Sequence, residues 1–311
     1  MGLIAPEDIS PEYEVVVAGG GLGGLTAAHV LARGGRKVLL AEQHRQLGGL
    51  ATWFQRGRHR FDVALHGFPV GMRKTLRKYW SPELAGQIVQ VPSIRFANPQ
   101  FSLETTFTRE DFTELLSGRF GVPRDRVEAF YQELEEMDYY GDRTPTNRDL
   151  FAKYFPGRPD VVRLLMEPIT YANGSNLDEP ALTYGIVFSN FMSRGVYTFA
   201  GGTDRMLAMM QAELDRQGAE YCTGAPVEKV LVERGRVAGA VIAGRRVRCR
   251  AVLANGNLLA TIRDLVGEEH FSPEFRTRSA AVHLNHSSCQ VYFGLRPGAG
   301  FAPVGDLIFT S

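Results

Sequence analysis

The segment Gly19-Gly20-Gly21-Leu22-Gly23-Gly24 is the densest chemical signal in the chain. It contains G-x-G-x-x-G at Gly19, Gly21 and Gly24, and each glycine has a physical task. Gly19 allows a tight turn out of a strand, Gly21 lets backbone approach a pyrophosphate, and Gly24 lets a helix lie close on a sheet. If Leu22 and Gly23 open that helix, their free N–H groups and the positive end of its dipole face the phosphates. Glu42 follows 18 positions after Gly24. A carboxylate at that spacing can accept hydrogen bonds from both ribose hydroxyls of an adenosine, and it opposes a 2′-phosphate. This pattern points to a dinucleotide without that phosphate and does not by itself separate FAD from NAD.

The flanking pattern supplies the elements that must hold these residues. Residues 13–18 form a short β-branched run that predicts a buried parallel strand. Residues 22–33 have helical spacing with small Ala27, Ala28 and Ala32, and Gly34-Gly35 ends the helix. A second apolar run, 37–42, completes a βαβ opening. Gly201-Gly202 begins another such pattern, with an amphipathic helix over 204–217 and a strand over 219–222. Residues 227–232, 236–242 and 246–249 then alternate as a three-stranded antiparallel meander with Gly235 and Gly244 at its turns. Residues 251–254 read as a further buried strand.

Between these stretches, 110–116, 124–137 and 160–165 look helical, with Asp111 and Pro123 near the first two starts. Pro145, Pro156, Pro159, Pro168 and Pro180 punctuate the rest. The expectation is an α/β chain. A discontinuous Rossmann-like domain, parallel sheet plus meander, covers 12–70 and 200–270. An inserted α+β domain covers 71–199, and 271–311 belongs with it.

After Glu42 the chain reads Gln43-His44-Arg45-Gln46-Leu47-Gly48-Gly49-Leu50-Ala51, and further on Phe61-Asp62-Val63-Ala64-Leu65-His66. Here it resembles the FAD-dependent, amine-oxidase-like flavoproteins, and among them the phytoene desaturase, carotenoid isomerase and retinol saturase group. Ala64 stands where that family usually has glycine. The resemblance spans about 13–256. It implies that Gly48, Gly49, Leu50 and Ala51 pass beside the flavin and pyrophosphate, with Gln43 and Arg45 close by. It also implies that the backbone at Val227 meets the adenine, and that Ala254-Asn255-Gly256 returns to the nucleotide. Physically, side-chain-free Gly48 and Gly49 let backbone lie against a flat ring or a phosphate. Arg45 suits a phosphate and equally suits solvent. His66 is placed near the flavin by the resemblance, as an acid/base candidate or a hydrogen-bonded structural histidine.

The implied cofactor is FAD. The implied activity is oxidoreduction of the desaturase, saturase or isomerase type on a lipophilic, isoprenoid-like substrate. An amine- or alcohol-oxidising flavoenzyme and a non-catalytic flavin-binding subunit stay open, and Gly48-Gly49 with Phe61-Asp62 disfavours an NAD enzyme. Members of the group are longer, and no second flavin-closing glycine segment occurs in this sequence. Gly305-Asp306 does not precede a helix. The C-terminal part of the family fold is therefore expected to be absent from this chain: either the chain is a fragment of a longer protein, or a second polypeptide supplies the rest, and a partner chain is the expectation.

The aromatic run Phe188, Phe191, Met192, Tyr197 and Phe199 suits either a lipophilic tunnel or a core. Glu167, Tyr171 and Asn173 are a polar patch beside Pro168. Residues 72–80 are basic and amphipathic, fitting a solvated helix face or a peripheral membrane contact.

Composition excludes other classes. A 311-residue chain, 44% hydrophobic with net charge +1, can bury a large core and has no basic excess for nucleic acid. Cys222, Cys249 and Cys289 form neither a C-x-x-C pair nor a metal-ligand cluster. The first residues lack a signal-peptide pattern, and no run reaches the roughly 18 apolar residues a membrane span needs. A cytosolic protein, at most peripheral to a membrane, is the expectation.

Overall fold

A computed structural model describes residues 2–138, 140–192, 194–282, 287, 289–296, 298–300 and 307–310. Gly305-Asp306 and the side chains of Asn173 and Met192 lie outside the described residues. The chain forms two compact units, one of 1–66, 73–88 and 199–283, the other of 67–72, 89–198 and 284–311.

The first unit is built on a four-stranded parallel sheet. Its strands are β1 (Val15–Ala18), β2 (Val38–Glu42), β5 (Glu220–Thr223) and β9 (Ala251–Ala254), in the order β5-β2-β1-β9. Every residue of β2 is buried, as a strand covered on both faces requires. Helix α1 (Leu22–Arg33) crosses between β1 and β2 and buries Leu25, Ala28 and Ala32. Between β2 and β5 stand the hairpin β3 (Trp53–Arg56)–β4 (His59–Asp62), helix α2 (Gly71–Tyr79) and helix α3 (Gly202–Gln217). The antiparallel meander is β6 (Val227–Glu233), β7 (Arg236–Ile242) and β8 (Arg245–Arg248). Gly235 and Gly244 turn it at φ +74° each. Its Ala240, Ile242 and Val247 share a core with Val16, Leu39 and Cys222.

Residues 73–88 and 271–282 pack with this unit, where sequence patterning placed them in the inserted domain. For 73–88 the reason is a side-chain anchor just after α2. Trp80 is buried and stacks on the ring of His29 in α1 at 4.4 Å, and its indole N–H donates to Thr26 Oγ1 at 3.0 Å.

His29 is itself only 1% exposed. Its Nδ1 lies 2.9 Å from the Tyr79 carbonyl, which fixes the neutral tautomer with the proton on Nδ1. Nε2 is 3.6 Å from Glu213 Oε2, beyond hydrogen-bond reach. Burial holds the imidazole pKa below its ordinary value, and the nearby carboxylate offsets this only in part. The unfolded chain therefore takes up a proton near pH 6.5 that the folded chain refuses. Stability attributable to His29 is full above that pH and is lost as pH falls toward the lowered folded value. We expect thermal melts between pH 7.5 and 5.5 to show a smaller acid-induced loss in His29→Gln than in the native chain. Equal slopes would exclude this role.

The second unit is mainly helical. Arg124–Glu136, Asn147–Tyr154, Pro159–Asn173 and Ala181–Met192 are its longer helices. A short sheet joins Ser102–Thr105 to Ile94–Ala97 antiparallel, and Ile308–Phe309 to Ile94–Ala97 parallel. The helix expected over 110–116 is Arg109–Glu114 followed by a wider turn, Leu115–Arg119. Its cap is Thr108, which accepts from the Asp111 N–H, so Asp111 stands inside the first turn and is not the cap.

Pro168 lies within Pro159–Asn173 and does not end it, so the helix is far longer than 160–165. Tertiary burial of Leu164, Leu165 and Ile169 outweighs the roughly 3 kcal/mol that an interior proline costs. Phe188 is fully buried in the helical core, stacked on Tyr184 at 5.2 Å, so it lines no open tunnel. In the expected polar patch Tyr171 is 55% exposed, whereas both carboxylate oxygens of Glu167 are buried without a hydrogen-bond partner among the described residues.

Candidate dinucleotide site

β1 delivers the chain to Gly19, whose φ of +104° is open to glycine. The Gly19 N–H donates to the Ala41 carbonyl at 2.8 Å, tying the turn to β2. Gly21 is the N-cap of α1 and offers no side chain. The cap comes instead from the end of β9, where Asn255 Oδ1 accepts the Gly24 N–H at 2.8 Å. Asn255 N–H in turn donates to the Ala18 carbonyl. The first-turn N–H groups of Leu22 and Gly23 have no acceptor among the described residues. They are the orphan donors that any helix start leaves.

Glu42 ends β2 and is 5% exposed. Its Oε2 accepts from the Gly20 N–H at 2.6 Å and its Oε1 from the His44 N–H at 2.8 Å. A carboxylate has about four lone-pair positions, so two remain for a ligand's hydroxyls. The two backbone donors fix the carboxylate in place before any ligand arrives.

The second glycine pair packs on the first. The Gly48 N–H donates to the Gly20 carbonyl at 2.7 Å, and a Cβ on Gly49 would lie 3.0 Å from Gly21 Cα. Gly48 and Gly49 have φ of +113° and +58°. A Cβ on Gly48 would also strike Leu207 of α3 at 2.7 Å. Backbone therefore meets backbone where side chains would separate the loops.

These loops bound a cavity of about 910 Å³, within the range of sites for small molecules and cofactors. Gly19, Gly21, Leu22, Glu42, Gln43, Gly48, Gly49, Leu50, Ala51, Val227, Asn255 and Gly256 line it, all singled out in the sequence. Gly23 and Gly24 lie behind it and serve packing. A Cβ on Gly23 would meet the Asn255 amide at 2.8 Å, and one on Gly24 would meet the Gly19 carbonyl at 1.9 Å. Arg45 and Ala254 are exposed and do not line the cavity, and neither does half-buried His66, although its neighbours Ala64 and Leu65 do.

Sequence reading missed the far wall, formed by Asn257, Ala260, Thr261, Asp264 and Leu265. The available signal was Asn257 ahead of Leu258-Leu259-Ala260, an N-cap whose Oδ1 accepts from the Ala260 N–H at 3.0 Å.

A parallel sheet entered through a glycine turn, with an acidic residue closing the second strand, defines the first unit as a Rossmann-like domain. In agreement, the family described as an NAD(P)-binding Rossmann-like domain matches residues 17–81. Over most of its length the chain is similar to 4,4'-diapolycopen-4-al dehydrogenase of Metabacillus indicus, at 22% identity, covering 96% of this chain and 65% of that protein. It is similar to the chloroplastic prolycopene isomerase of Daucus carota at 24% identity, covering 85% of this chain and 49% of that one. Among solved structures, an oxidoreductase from Methanosarcina mazei shares the fold with a TM-score of 0.70 at 20% identity, over 86% of this chain and 64% of that one. The chain thus spans about half to two thirds of the length of these relatives.

Proposed function

We propose that the chain binds FAD along this cavity and is the nucleotide-binding part of a flavin-dependent oxidoreductase acting on a lipophilic polyene. The observation that carries the reading is the pre-set Glu42 carboxylate lining the same cavity as Leu22, whose unfilled N–H opens α1. In this assignment the Leu22 amide at the head of α1 holds the pyrophosphate and Glu42 holds the adenosine ribose. The backbone at Val227 reads the adenine edge. The cavity runs on past Gly48–Ala51 to Ala64 and Leu65, which supports a second, bulkier half of the dinucleotide there.

When bound, the flavin accepts or returns a hydride, the chemistry shared by desaturation, saturation and assisted isomerisation. This chain's residues bind and orient it. Leu50 at the rim is 81% exposed, and Leu258 near the far wall is 45% exposed. Such apolar rims favour a further polypeptide segment that closes the cavity and excludes water. The polyene substrate is supported by likeness to proteins named for diapolycopenal and prolycopene. Among the described residues no helix is long and apolar enough to cross a membrane. A lipophilic substrate would then be met at a membrane surface, for which basic α2 is the proposed contact.

Reconstitution with FAD tests the reading. The expected result is the two-banded visible absorption of protein-bound oxidised flavin, bleached anaerobically by a reduced polyene and not by primary amines. Uptake of NAD in place of FAD, or bleaching by amines alone, would reject it.

A further inference from the structure

The geometry points to Asp62 as a positioning residue for the cavity, acting as the detached N-cap of α3 and thereby setting the wall at Ala64 and Leu65. The inference rests on the FAD reading for its ligand and on the structure for its mechanism.

Helix α3 begins badly by local rules. Its N-cap, Gly201, has no side chain, and Gly201 and Gly202 have φ of +88° and +84°. The missing acceptor arrives from the end of β4. Asp62 Oδ1 accepts the Thr203 N–H at 3.2 Å and also the Thr203 hydroxyl. Arg60, two residues earlier on the same strand, pairs with Asp204 in the first turn of α3. A carboxylate at this end also meets the positive end of the helix dipole. A Cβ on Gly202 would stand at ordinary contact distance, 3.6 Å, from both Asp62 oxygens, so it is the φ of +84° that calls for glycine there.

The chain leaving this clamp goes directly to the cavity. Val63 N–H donates to the Thr52 carbonyl at 2.9 Å, and the Thr52 hydroxyl donates to the Leu47 carbonyl at 3.1 Å. The next two residues, Ala64 and Leu65, line the cavity, and Leu65 does so at φ +69°. A leucine holds the left-handed region only where its surroundings over-determine it. The clamp fixes one end of that strained stretch. It also fixes the start of α3, whose Leu207 packs against Gly48 on the opposite side of the same loop. One carboxylate thus sets the spacing of both 48–51 and 64–65.

The test compares the native chain with Asp62→Ala, Asp62→Asn and Thr203→Val, reading backbone amide exchange together with FAD affinity and the bound-flavin spectrum. In Asp62→Ala, amides at Thr203 and across 63–66 should lose protection. FAD binding should weaken about tenfold or more, with a shifted visible band, as misplaced walls predict. Asp62→Asn keeps an acceptor oxygen and should recover most of the affinity. Thr203→Val, the milder change, should move in the same direction with less risk of unfolding.

A Thr203 amide that opens while affinity, spectrum and 63–66 protection stay native would make Asp62 a cap only and overturn the inference. Should the native chain take up no FAD, the functional reading fails separately, and 63–66 exchange decides alone. Protection lost in Asp62→Ala sustains the positioning role, and protection unchanged removes it.

Discussion

Gly24→Ala is expected to abolish both the folded nucleotide unit and dinucleotide uptake. The added methyl would sit 1.9 Å from the Gly19 carbonyl oxygen and 3.4 Å from Val17 Cγ1. The first contact is with backbone, in the turn that Gly19, Asn255 and Glu42 jointly fix, so no side chain can swing aside. Relief requires α1 to lift from the sheet. That move breaks the Gly24–Asn255 hydrogen bond and uncovers Leu25 and Ala28, both fully buried. Overpacking costs about 1–3 kcal/mol where neighbours can adjust and more where they cannot. This substitution belongs to the second case, and a loss above about 3 kcal/mol is a large share of a domain's stability.

Urea unfolding followed by circular dichroism checks it, with Gly86→Ala as control. Nothing lies within 4 Å of a Cβ at Gly86, whose φ is not positive, so that change should stay within about 1 kcal/mol. A Gly24→Ala protein as stable as the control would refute the packing argument.

Glu42→Ala is expected to remove dinucleotide binding while costing stability more modestly. Two backbone donors, Gly20 N–H and His44 N–H, lose their acceptor in a buried place. Each such loss costs about 1–3 kcal/mol unless water enters, and the adjoining cavity admits water to both. Binding suffers more, because the ligand loses charge-assisted hydrogen bonds and the glycine turn loses the group that shapes it. Two such bonds at about 1.5–3 kcal/mol each correspond to at least about a hundredfold in affinity. Glu42→Gln separates the effects. Its single carbonyl oxygen can serve Gly20 or His44 while its NH2 meets the other donor, so stability should return only in part, and ribose binding stays weakened by the lost charge. Calorimetric titration of FAD with parallel melts reads both quantities. Unaltered affinity in Glu42→Ala would place the ribose elsewhere and take the proposed ligand orientation with it.

The two substitutions also separate what local sequence reports from what it cannot. The alternation of apolar runs with a glycine turn is a backbone matter, and it is complete within 13–42. Gly24 had to be small because a helix leaving a strand through a tight turn crosses its own carbonyls. Glu42 had to end a strand because the buried run 38–42 leaves one register in which the acid reaches the turn. Both facts are properties of neighbours in the chain. The meander was equally legible, since a period-two pattern between glycine turns allows little else.

The helices of the second unit were harder to read. Ala181–Met192 carries no strong periodic stripe, because a helix buried on most sides shows none. Asn147–Tyr154 does carry one, with Asn147, Leu150, Phe151 and Tyr154 buried, but it is only eight residues long between Pro145 and Pro156. Pro168 reads locally as a break and is overruled by packing.

Long-range pairing was decided by tertiary structure alone. Asn255 caps α1 from 231 residues away, and Asp62 caps α3 from 141 residues away. In both cases the helix's own N-cap is a glycine, so local sequence shows an uncapped start and gives no sign of the donor of the missing oxygen. The Gly48-Gly49 turn likewise acquires its meaning from Gly20 and Gly21, against which it lies. Periodicity and turn chemistry act through covalent neighbours and are written in order along the chain. A cap borrowed from another strand exists only once folding has brought that strand to the helix: the sheet order β5-β2-β1-β9 sets Asn255 at α1, and the β3–β4 hairpin sets Asp62 at α3.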